Sequence, residues 1–161
     1  MLGIKNQQSL NKLLGILYYL DLKGRASRAD IGNLIRWMEP ERADAPVAAM
    51  SLLVSRQIAI LRESFRMDIS VNPHDGFMIR RWGIVNKDTF REEIAPLFPE
   101  MKERVEKEIR EYVLRKAELE KAKAEEKAEK ERLKAKAALD RKVEKAMARG
   151  AKKAAEPSKE A

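Results

Sequence analysis

The chain has 161 residues, no cysteine, one histidine and a net charge of +8. That length holds one modest domain with an appendage, or two very small domains. The lack of cysteine excludes disulfides and thiolate-held metals, and no apolar run reaches the roughly 20 residues that span a bilayer. A basic balance of this size favours polyanionic partners.

The charge and the apolar residues are distributed unevenly. Through Pro99 there are 14 Lys/Arg against 11 Asp/Glu; from Glu100 onward there are 20 against 15, and no aromatic residue follows Tyr112. The core is therefore expected within residues 1–99, with 100–149 as a long charged helix and 150–161 as a disordered tail. Met1-Leu2-Gly3-Ile4-Lys5 does not read as a basic leader before an apolar core, so no signal peptide is expected. The expected setting is cytoplasmic and nucleoid-associated.

Leu10, Leu13, Leu14, Leu17 and Leu20 recur at helical steps, and Gly24 is the stop. Ser27-Arg28-Ala29-Asp30 has the form of a capping box, opening a second helix to about Trp37 that buries Ile31, Leu34 and Ile35. Pro40 breaks the chain into a loop. Pro46 suits the first turn of a third helix, capped by Asp44 or Ala45. Its apolar stripe is Val47, Met50, Val54, Ile58, Leu61 and Phe65. Leu52, Leu53 and Ile60 lie off that stripe, suited to packing under the first helix or to a subunit contact. The period then shortens to two: Ile69 and Val71, a turn at residues 72–76, then Phe77 and Ile79, which point inward while Arg80 points out. Trp82 reads as a core anchor. A short helix at residues 87–94 ends before Pro96 and Pro99. Beyond Glu100, Ala, Glu, Lys, Arg and Leu favour helix, but no heptad pattern runs through three repeats, so a continuous coiled coil is not specified.

The opening Ser27-Arg28-Ala29-Asp30-Ile31 resembles the effector domains of OmpR-type response regulators. So do Val54-x-x-x-Ile58-x-x-Leu61-Arg62 closing the longer helix and Asp68-Ile69-Ser70-Val71 facing Gly76-Phe77-x-Ile79 across a hairpin. The resemblance covers about residues 25–82. It implies a winged helix-turn-helix, mainly α with a small β-hairpin, whose long helix enters the major groove while the wing touches the neighbouring backbone or minor groove. No receiver domain is expected from the sequence, so phosphorylation control is not implied, and no obvious sheet is read ahead of the first helix.

For double-stranded DNA, the third helix offers Arg56 and Gln57 for base edges, and Ser51 and Ser55 for phosphate or for either base. Arg25 and Arg28 stand at a helix start, where backbone N–H groups also favour phosphate. Arg80 and Arg81 lie on the wing, with His74 at its tip. Each also has a plainer reading: a solvated charge, a protected sheet edge or, for His74, a turn residue. Met101, Val105, Ile109, Tyr112 and Val113 form a face suited either to docking back on the domain or to homodimerisation. Residues 100–131 carry 10 basic and 11 acidic side chains and residues 132–153 carry 9 and 2, a basic end suited to DNA, to an acidic partner or to solubility alone.

No catalytic set, cofactor motif or metal site is expected, so the chain does not read as an enzyme. The first functional reading is a sequence-specific DNA-binding regulator of transcription, prokaryotic or phage by the family analogy alone. The alternatives are a replication, packaging or nucleoid-architecture factor, and a protein-interaction adaptor built on the same fold.

Overall fold

In the computed structural model, which describes residues 7–74 and 76–155, helix α1 (Gln7–Lys23) is the element around which the N-terminal unit assembles. The leucine stripe is only part of its buried surface. Residues 15–20 are buried consecutively, with Ile16, Leu17 and Tyr19 at 0% exposure, as expected of a helix enclosed on nearly all sides. Gly24, at φ +79°, ends it, and the Gly24 N–H returns to Leu20 O at 2.9 Å. Expectations for residues 1–6, Asp75 and 156–161 lie outside the described residues.

Helix α2 (Arg28–Met38) opens with the capping box read from the sequence: Asp30 N–H donates to Ser27 Oγ at 3.1 Å and Ser27 N–H to Asp30 Oδ2 at 2.9 Å. Ile31, Leu34 and Ile35 are fully buried. The following segment is a 3-10 turn at Pro40–Arg42, and Glu39 beside it is an internal anchor. Its carboxylate meets Lys12 at 2.5 Å, both side chains being less than a tenth exposed, and also accepts from Arg42 at 2.6 Å.

Helix α3 (Val47–Ser64) departs from the sequence reading at its start. Pro46 is the N-cap, with no side-chain capping bond, in place of Asp44 or Ala45. Val47 is 80% exposed, because α3 begins there, one turn before the stripe reaches the core at Met50. Leu52 is also exposed, whereas Leu53 and Ile60 pack at the core's edge. Phe65 and a left-handed Arg66 (φ 53°) close the helix. The Arg62 guanidinium then donates twice to Ile69 O, at 3.0 and 2.6 Å, pinning strand β1 to the helix.

Strands β1 (Asp68–Asn72) and β2 (Gly76–Arg81) pair antiparallel, with Ile69 opposite Ile79 and Val71 opposite Phe77. Ile69 and Phe77 are buried, Ile79 is half-buried, and Val71, nearer the turn, is exposed. Ala26 adds an isolated bridge to Phe77, through hydrogen bonds of 3.0 and 2.7 Å. A one-residue bridge has no alternation and so leaves no periodic trace in the sequence. It depends on Gly76, at φ +80°, where a Cβ would stand 2.2 Å from Ala26 O.

Helix α4 (Lys87–Ile94) is capped by Asn86 and strapped to α1. Arg91 donates to both oxygens of the buried Asp21 carboxylate, at 2.6 and 3.0 Å, and Lys87 lies 3.7 Å from it. Phe90 packs 5.2 Å from the half-buried Trp82 and 6.5 Å from Tyr18.

Helix α5 (Met101–Ala154) corrects two expectations. The first compact unit runs Met1–Arg110 and the second Glu111–Ala161, so the division falls inside the helix and not at Pro99. The reason is burial: Met101 is 0% and Val105 2% exposed, and both belong to the core. Gly150 does not end the helix, which runs on to Ala154. An exposed interior glycine costs only about 1 kcal/mol relative to alanine, and Lys152 and Lys153 in the last turn favour the C-terminal dipole. From Glu111 every described residue is exposed. Among the described residues, no helix is long and apolar enough to cross a membrane.

Candidate nucleic-acid interface

The capping box sets the start of α2 and directs Arg28, its first residue, outward. One nitrogen of Arg28, Nη1, donates to Ser51 O at 3.0 Å and to Ser55 Oγ, and the guanidinium lies 5.5 Å from the centre of the Phe77 ring. This side chain thus joins the start of α2, the middle of α3 and β2. The same junction is held by the Ala26–Phe77 bridge. Both Arg28 bonds use one nitrogen of a group with five N–H donors, and the side chain is exposed, so it retains capacity for a phosphate.

Ser51 and Ser55 are engaged inside this junction: the first is half-buried and offers its carbonyl, the second accepts at its hydroxyl. Arg56 is exposed and makes no hydrogen bond or ion pair among the described residues. Gln57 must be removed from the base-reading set. It is 8% exposed, because it stands three residues after Val54 and four before Leu61, on the core side of the helix. That spacing was available in the sequence; the polarity of the amide obscured it.

Arg80 and Arg81 are exposed at the end of β2. Arg80 and Arg25 line one shallow groove of about 370 Å³ together with Ser70, Asn72 and Met78. This pairing of Arg25 with the hairpin was not legible in the sequence, since it follows from the one-residue bridge at Ala26. His74 is exposed in the turn, its N–H donating to Asn72 Oδ1 at 2.9 Å. That local bond is what an Asx turn requires.

The five residues suited to docking back on the domain or to pairing with a second copy divide. Met101 and Val105 are consumed by the core and are not available to another chain. Ile109, Tyr112 and Val113 are exposed, at 40, 64 and 58%.

A polar cluster couples the first turns of α5 to the α2 cap. Tyr19 O–H donates to Glu108, and Lys23 donates to Tyr19 Oη at 2.9 Å and to Glu108 at 3.0 Å while lying 3.2 Å from Asp30. Burial, reinforced by the Glu108 carboxylate, pushes the Tyr19 phenol well above its ordinary value, so it stays a donor. Burial works against the Asp30 charge, but the Ser27 N–H and Lys23 outweigh it and hold its carboxyl below the ordinary value. Arg104 lies 3.0 Å from Glu108 and 5.2 Å from the centre of the Trp37 ring. No family model, curated protein or solved structure matches the chain.

Proposed function

We propose that residues 7–110 form a winged helix-turn-helix unit that binds duplex DNA selectively, as a regulator of transcription does. One observation carries the reading. The start of α2, the outer side of α3 and the hairpin meet at Arg28, with the exposed cations Arg56, Arg80 and Arg81 on the elements so joined. In this reading α3 lies in the major groove, where Arg56 reaches a base edge. Arg28 and Arg80 contact phosphates, which fix register and carry no sequence information.

The test is a pair of substitutions measured on a site obtained by selection from random duplex DNA. Arg56→Ala is expected to weaken the selected site by about 1–3 kcal/mol and to relax its sequence preference. Arg80→Ala is expected to weaken all sequences alike and to flatten the salt dependence by about one unit. Wild-type binding by both variants would show that the docking face is wrong.

A second reading draws on the same helix. Beside Arg56, on the outer side of α3, Leu52 is 74% exposed, and Val47 is 80% exposed where the helix begins; exposed apolar side chains also suit a protein partner. An adaptor of this kind would bind duplex DNA weakly and protect no discrete site in a footprint.

A further inference from the structure

The distal part of α5 carries charge in an arrangement that the α3 reading does not use. Upstream, acidic and basic residues neutralise each other, with ion pairs at Glu111–Arg115 and Glu126–Lys130. Downstream, residues 132–153 hold nine basic side chains and only Asp140 and Glu144 against them. At 3.6 residues per turn, Lys134, Arg141, Lys142, Lys145, Arg149, Lys152 and Lys153 fall within an arc of about 120° around the helix. Leu139, Val143 and Met147, at steps of four, fall outside it on the far side, as do both acids. All seven cations are exposed, and none makes a hydrogen bond or ion pair among the described residues.

We infer that this stripe is a second duplex DNA-binding surface, one that reads phosphates and not bases. From Lys134 to Lys153 it extends about 29 Å at 1.5 Å per residue, somewhat less than one turn of duplex at about 34–36 Å. Arg141, Lys145 and Arg149 follow one another at about 6 Å along the axis. Residues 132–153 contain no Asn, Gln, Ser or Thr, the uncharged polar residues used at base edges. A lipid surface is less well matched. Helices that lie in a membrane interface present Trp, Phe and Leu opposite their cations, whereas outside the arc here there are only Leu133, Leu139, Val143 and Met147 among the large apolar side chains, and no aromatic residue follows Tyr112. The inference stands on this charge distribution and is independent of how α3 is used.

The experiment measures the full chain on a random-sequence 30-base-pair duplex across a salt series. A variant with all seven cations changed to Gln keeps good helix formers, with helicity checked by circular dichroism. Neutralising seven phosphate contacts would lower the slope of log K against log salt by up to about six units. The expected result is a fall of at least two units, with affinity at 50 mM salt at least tenfold weaker. Leu139→Gln, Val143→Gln and Met147→Gln together should change neither quantity, and exchanging Lys for Arg and Arg for Lys along the stripe should preserve both. The inference is overturned if the Gln variant is helical and retains the wild-type slope, if the far-side variant loses as much, or if the full chain binds phosphatidylglycerol vesicles but not the duplex. Failure of the α3 reading looks different: selection finds no preferred site while the salt slope remains steep.

Discussion

Two glycines at nearly the same backbone angle separate strain from crowding. Gly24 and Gly76 have φ of +79° and +80°, but a Cβ at Gly24 meets nothing within 4 Å, while at Gly76 it would strike the Ala26 carbonyl. Gly24→Ala is therefore expected to cost about 1–2 kcal/mol, the penalty for a left-handed L-residue. Gly76→Ala should cost clearly more and loosen the hairpin from residue 26; urea denaturation of the two variants makes the comparison. Asp30 makes a second residue-scale case. Its folded carboxyl titrates below the ordinary value, so its contribution is fully present above that ordinary value and is lost as pH falls through the folded one. Asp30→Ala should cost about 1 kcal/mol at pH 7, the usual worth of a capping group. The gap from wild type should close progressively below about pH 4, as followed by urea midpoints at each pH.

At the scale of elements, the sequence was informative wherever a period or a capping pattern acted locally. The start of α2 at Ser27, the bounds of α4 and the change of period at the hairpin were all legible, because each is set within a few residues. Long-range burial was not legible. Glu39, for instance, is held in the interior by Lys12, 27 positions away. Likewise Met101 and Val105 have a spacing that suits a second copy as well as it suits their own core, and only tertiary packing decides. Met101→Ala should accordingly cost about 2–5 kcal/mol, as for a fully buried large side chain. A chain ending at Pro99 should unfold at lower urea than one ending at Arg110. Equal midpoints for the two truncations would remove α5 from the core.

At the scale of the whole molecule, composition foretold a core-forming N-terminal part and a charged helical remainder, because aromatic residues stop at Tyr112. The candidate contacts were less visible: the arginines could be named, but not the meeting of α2, α3 and β2 at Arg28, which the bridge at Ala26 accompanies. The division inside α5 also affects how unfolding proceeds. Residues 111–154 bury nothing, so their helicity rests on local pairs worth a few tenths of a kcal/mol each and should fade gradually with heat. Residues 7–110 share one core and should melt in a single cooperative step.

Those two behaviours can be separated optically, because both tryptophans of the chain belong to the core-forming unit. Trp37 lies under Arg104, so its indole reports on the seating of the first turns of α5; Trp82 packs on Phe90 and reports on the hairpin's junction with α4. Indole emission should thus trace a sharp sigmoid with temperature while far-ultraviolet ellipticity slopes from the outset. In Trp82→Phe the remaining emission comes from Trp37 alone, making Arg104 a natural perturber of the one fluorophore left. Replacing Arg104 with Met should then alter the Trp37 spectrum in the native state, before any heating, which gives α5 seating a readout that needs neither label nor ligand.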